Sequence, residues 1–142
     1  MMIRYPQRIK KGQKLNQMVM NLDIAPTLLS YAGITPPEDM QGESMKGILS
    51  HEPLVKAWRD KLYYHYYEDA YGVTPHYGIR TARYKLIHFY GALNTWELYD
   101  LQNDPQEMKN LFPDQKFAKL ADSLKIELKG LRTKYKDNTP AD

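Results

Sequence analysis

The chain reads as an α+β domain: a small four-stranded antiparallel sheet packed by a long C-terminal helix, with one further helix ahead of it. Three observations predict this. Between Leu62 and Leu101 four short runs rich in Tyr, Ile, Phe, Trp and Thr follow one another, the residue types that suit a pleated, half-buried surface. Turn residues separate them. After Pro113 apolar residues recur at three- and four-residue spacing, as on one face of a helix.

In chain order, Ile3, Arg4 and Tyr5 have the character of a strand end that stops at Pro6. Arg8–Gln17 is a polar, basic loop. Asn21–Gly33 carries clear helix punctuation. Asp23 suits the N-cap, where its carboxylate accepts from free backbone N–H groups at the positive end of the helix dipole. Pro26 falls in the first turn, where its missing N–H costs nothing. Gly33 suits the left-handed position after the last turn. Pro36-Pro37 excludes helix locally, and MQGESMKGIL then leads into about one helical turn. Ser44 reads as a turn or cap residue, since no base or oxyanion-hole pattern accompanies it. His51-Glu52-Pro53 breaks the chain again.

The sheet runs are Leu62–Tyr67, Tyr77–Thr81, Tyr84–Tyr90 and Trp96–Leu101. Only Ala82-Arg83 joins the second to the third, so that link is a tight hairpin. Alternation places Tyr63, His65 and Tyr67 on one face and Leu62, Tyr64 and Tyr66 on the other. In the third run Tyr84, Leu86 and His88 oppose Lys85, Ile87 and Phe89. The tyrosines around His65 suit either packing with satisfied hydroxyls or a stacking platform for a sugar or nucleobase. Asn103-Asp104-Pro105 closes the last strand with turn chemistry. Phe117, Leu120, Ala121, Leu124, Leu128 and Leu131 then form the apolar stripe of a helix that covers one sheet face.

At 142 residues and 42% hydrophobic content the chain sustains a modest core. A net charge of +3, spread along the chain, argues against nucleic acid as the main partner. No apolar run approaches the ~20 residues of a membrane helix. Cysteine is absent, which removes thiolate chemistry and Cys-based zinc sites. The four histidines lack zinc-ligand spacing, and no phosphate loop, nucleophile elbow or paired-carboxylate motif is present.

Resemblance carries the reading further. NLDIAPTLLSYAGITPPEDMQGESMKGIL resembles the segment that closes the catalytic domain of the type I sulfatases. YYHYYE, HYGIRTARYKLIHFY and WELYDLQNDPQEMKNL are similar, in order and spacing, to the C-terminal subdomain of the same enzymes. The likeness is closest to bacterial members acting on sulfated glycans and to heparan sulfatases. The NxDxxPTLL motif is the less specific part, because it recurs in phosphatases and phosphodiesterases of the alkaline phosphatase superfamily.

The resemblance implies a catalytic mechanism that lies elsewhere in the family's chain. There a formylglycine, made from Cys or Ser in a (Cys/Ser)-x-Pro-(Ser/Ala)-Arg motif, attacks sulfur, and Ca²⁺ held by Asp and Asn side chains polarises the sulfate. In Ser50-His51-Glu52-Pro53 the proline falls one place late and no Arg follows, and the family's Asp-Asp and Asp-Asn metal pairs are not found. The chain is therefore expected to correspond to the C-terminal third or quarter of a sulfatase, inactive alone, with Met2–Pro6 similar to a strand of the large parallel sheet. Residues 1–55 would be the edge of the α/β catalytic domain, including the helix left over from it, and residues 56–142 the C-terminal subdomain.

Within that frame His65, Glu68, His76 and Arg80 are the candidate substrate-binding residues, with Arg80 the choice for a sulfate or carboxylate unless it pairs with Glu97 or Asp100 across the sheet. The implied partners are a sulfated glycan and the N-terminal catalytic domain, or self-association in its place, and the implied compartment is periplasmic or secreted. The alternatives are a stand-alone module binding anionic glycans and the C-terminal part of a related phosphodiesterase.

Overall fold

A computed structural model of the chain describes residues 1–51 and 57–139. They fall into two compact units, Met1–Asp60 and Lys61–Asp142. The domain boundary expected at 55/56 lies outside the described residues.

The second unit is the predicted meander. Strands β1 (Lys61–Tyr66), β2 (His76–Thr81), β3 (Tyr84–Phe89) and β4 (Thr95–Asp100) pair antiparallel in sequence order. Tyr63 sits opposite Ile79, Ile79 opposite Leu86, and Leu86 opposite Leu98, so one apolar row crosses the whole sheet. The two-residue link between β2 and β3 is closed by Thr81, whose hydroxyl donates to the Tyr84 carbonyl and accepts from its N–H at 3.1 and 2.9 Å. Arg83 in that link grips Asp100 at 2.8 Å, and its guanidinium holds the Asp100 carboxyl down to about 2.

Helix α3 (Ala118–Lys134) lays Ala121, Leu124 and Leu128 on this row. Ile79, Leu86 and Leu98 are fully buried beneath it. The chain enters α3 through a 3₁₀ turn, Gln115–Phe117, rather than directly from Pro113. The carboxylate of Asp114 accepts from Lys116 N–H and caps that turn. On the opposite face Tyr64 lies across Gly78, where a Cβ would stand 2.5 Å from the Tyr64 hydroxyl oxygen. Only glycine permits that approach.

The first unit contains helix α1 (Ile24–Tyr31) and the short α2 (Lys46–Ser50). α1 ends as predicted. Gly33 has φ +76°, and Ile34 N–H reaches the Leu29 carbonyl at 2.9 Å across it. Met45, Ile48 and Leu49 form a small core with Ile9, Leu15, Val19, Tyr31 and Trp58 around them.

Two expectations fail here. Asp23 occupies the position before α1, but its side chain makes no capping bond. Its carboxylate is fully buried and turned backwards, accepting from Met20 N–H at 2.7 Å, Glu43 N–H at 2.8 Å and both terminal nitrogens of Arg59. Burial alone would raise its pKa; Arg59 and the two amides outweigh that and hold it below the ordinary carboxylate range. Ile3–Tyr5 is not a strand but irregular backbone, with Tyr5 edge-on to Tyr31 at 5.2 Å. A strand of a parallel sheet requires neighbouring strands, and none exists among the described residues of this unit.

Candidate functional site

The end of the sheet where β1 and β3 finish collects most of the polar chemistry of the second unit. Two loops, residues 67–75 and 90–94, and the segment after α3 meet there.

On the helix side, β1 presents His65 and β3 runs out at Tyr90. The His65 side chain is 3% exposed. Its Nδ1 lies 2.5 Å from the Asp137 carboxylate, and its Nε2 lies 2.9 Å from the Tyr90 hydroxyl. The Tyr63 hydroxyl donates to the same Asp137 oxygen. An ionised carboxylate only accepts, so Nδ1 carries the proton it donates to Asp137, and Nε2 shares a hydrogen bond with the Tyr90 hydroxyl. Burial alone would raise the Asp137 carboxyl, but hydrogen bonds from Tyr63, His65 and Thr139 reverse this and keep it well below the usual range. The same burial and the adjacent Asp137 carboxylate push the Tyr63 hydroxyl up. Tyr67 stacks on His65 at 3.7 Å between centroids, and Tyr135 stacks on Tyr63 at 5.9 Å.

Deeper on that face His88 bonds the Tyr77 hydroxyl and the Asn94 side chain, each at 2.9 Å, and stacks on Trp96 at 4.2 Å. Arg132 of α3 lies over the Tyr77 ring. These contacts satisfy buried polar atoms and rigidify the sheet end.

The other face holds His76 and Arg80. His76 donates from Nδ1 to the Thr74 carbonyl at 2.8 Å and stacks on Tyr66. Arg80 is exposed, since Arg83 takes Asp100 and the Tyr99 hydroxyl takes Glu97 at 2.7 Å. Both residues lie on β2, about 13 Å apart at strand rise. Glu68 is exposed on the loop after β1.

The four candidates therefore do not converge. His65 is buried on the helix side, His76 and Arg80 sit at opposite ends of the other face, and Glu68 stands apart. Asp137, Tyr90 and Arg132 escaped the sequence reading, because Asp137 is 72 residues from His65 and no local motif marks it. Among the described residues no three His, Cys, Asp or Glu side chains gather to hold a metal ion. No helix among them is long and apolar enough to cross a membrane.

The chain is similar to known proteins over most of its length. The family described as N-sulphoglucosamine sulphohydrolase, C-terminal, matches residues 1–134. N-acetylglucosamine-6-O-sulfatase of Bacteroides thetaiotaomicron is 46% identical, across 99% of this chain and 26% of that protein. Delta 4,5-hexuronate-2-O-sulfatase of the same organism is 36% identical, across 82% of this chain and 24% of that protein. A solved structure described as a complex with its substrate, D-glucosamine-2-N,6-O-disulfate, superposes with a TM-score of 0.89 at 45% identity. The superposition covers 98% of this chain and 29% of that one. The chain thus spans about a quarter of the length of the curated relatives it matches. It belongs to the sulfatase C-terminal domain family, that of the N-sulphoglucosamine sulphohydrolase C-terminal region.

Proposed function

We propose that this chain is the C-terminal part of a sulfuric ester hydrolase acting on a sulfated glycan, with a sulfated glucosamine unit the best-supported substrate. The observation that carries the reading is the end-to-end likeness to a 6-O-sulfatase at 46% identity. Residues 1–55 are the edge of the α/β catalytic domain and residues 56–142 the C-terminal subdomain. The formylglycine and Ca²⁺ of the family belong to the catalytic domain, and the residues here serve fold and substrate pocket.

α1 supports the domain reading. Ile24 and Leu28 are 44% and 64% exposed and give α1 an apolar face suited to packing against a sheet of that domain. Of the candidate substrate residues, Arg80 offers a forked cation to a sulfate or carboxylate. Glu68 lies on the loop after β1 and His76 opens β2, and His65 holds the root of that loop.

A chimera tests this. The matching region of the 6-O-sulfatase relative is replaced by this chain, and hydrolysis of N-acetylglucosamine 6-sulfate is measured. The expected result is turnover by the chimera and none by the chain alone with calcium. A folded chimera without turnover, or turnover by the chain alone, contradicts the reading.

A further inference from the structure

Tyr67 is 59% exposed although its ring is fixed in place. One side of it lies on His65, with 26° between the planes, and His65 is itself held by Asp137 and Tyr90. A loop tyrosine with no other task has no need of a buried imidazole, carboxylate and phenol to hold it. The arrangement leaves a flat, pre-set aromatic surface open to solvent at the root of the 67–75 loop. Such a surface binds without first losing side-chain entropy.

Basic side chains line a groove on the Asp137 side of this stack. The groove, of about 300 Å³, is lined by Asp137 with Lys129, Arg132, Thr133, Lys136 and Asn138. Against the single carboxylate of Asp137 the lining sets Lys129, Arg132 and Lys136, so the groove is net positive. Arg132 donates to the Thr139 carbonyl and reinforces its wall. Tyr67 stacks on His65, His65 bonds Asp137, and Asp137 lines the groove, so ring and groove flank the same imidazole–carboxylate pair.

We propose that Tyr67 is a stacking platform for a pyranose ring, and that the groove lined by Lys129 and Lys136 takes a sulfate of the same sulfated glycan. An apolar ring face beside an anion is the chemistry of a sulfated sugar, and a flat aromatic beside ammonium groups complements both parts. The proposal rests on the sulfated-glycan reading and adds a binding surface that none of the four earlier candidates forms.

The test is an aromatic and side-chain NMR titration of the 142-residue chain with glucosamine 6-sulfate, glucosamine and inorganic sulfate. Expected is a joint movement of the Tyr67 ring and the Lys129 and Lys136 ammonium signals with the sulfated sugar, weaker with glucosamine. Tyr67→Phe keeps the affinity; Tyr67→Ala lowers it about tenfold, the scale of one aromatic contact. Lys129→Gln with Lys136→Gln reduces the sulfated sugar to the level of glucosamine. The proposal is overturned if Tyr67 stays silent, if Tyr67→Ala binds unchanged, or if sulfate alone binds as well as the sulfated sugar. An active chimera with a silent Tyr67 removes this surface and leaves the sulfatase reading standing. A folded, inactive chimera with a responsive Tyr67 does the reverse.

Discussion

The two units of this chain are stabilised by different means. In residues 61–139 a sheet and a helix bury one another: Ile79, Leu86 and Leu98 are completely enclosed, and Leu128 nearly so. Among the described residues of 1–60, Met45, Ile48 and Leu49 make the buried apolar cluster, and a charged centre draws other stretches together. Through Asp23 three stretches of chain, around Met20, Glu43 and Arg59, converge on one carboxylate. Meanwhile Ile24 and Leu28 face outward. The difference teaches that one unit is held by burial, while the other is pinned by polar geometry and leaves apolar side chains of α1 exposed.

Asp23→Ala probes that difference most severely. It removes the ion pair with the Arg59 guanidinium, whose side chain is 6% exposed, and breaking a buried pair costs about 3–5 kcal/mol. Single-tryptophan variants keeping Trp58 or Trp96 read the two units separately during urea unfolding. The Trp58 transition is expected to collapse while the Trp96 transition holds; an equal shift of both would abolish the contrast. Leu98→Ala is the converse, removing about 2–5 kcal/mol from the sheet unit through a cavity at its centre. There the Trp96 transition moves and the Trp58 transition stays.

Gly42→Ala comes next. A Cβ at Gly42 would stand 1.9 Å from the Leu22 carbonyl oxygen, so two backbone segments must part. Overpacking of this kind costs about 1–3 kcal/mol or more, and the Trp58 midpoint in urea reports it.

Acid titration gives the smallest effect. The folded Asp137 carboxyl lies below its unfolded value of about 3.9. Its stabilisation is therefore complete above about pH 5 and is lost as pH falls through that region toward the folded value. Asp137→Asn is expected to lower stability at neutral pH and flatten the acid limb of the Trp96 transition. An unchanged acid limb would show that the carboxylate contributes nothing.

The elements set by local rules were legible in the sequence. Alternation in Tyr63–Tyr67 and Tyr84–Phe89, the Ala82-Arg83 hairpin, Gly33 at the end of α1 and the stripe from Leu120 to Leu131 all appear as read. The long-range polar contacts were not. Asp23 looked like a cap because local helix chemistry favours one there, but Arg59, 36 residues on, took its carboxylate. Asp137 looked like part of a polar tail for the same reason, with its partner on β1. Ile3–Tyr5 has strand composition, yet composition cannot supply the neighbours a parallel strand needs. Among the candidate residues, alternation gave His65 its face in β1 but left His76 and Arg80 without one. It could not show that His65 would be enclosed.

The central claim is that residues 61–139 fold on their own terms and the α1 face is completed by a cover. Amide hydrogen exchange on the isolated chain and on the chimera tests it most directly. The account predicts that Ile24–Tyr31 exchanges much faster than Tyr84–Phe89 in the isolated chain, and gains protection in the chimera while β3 is unchanged. A monomer, by sedimentation, whose α1 amides are already as protected as those of β3 would contradict it.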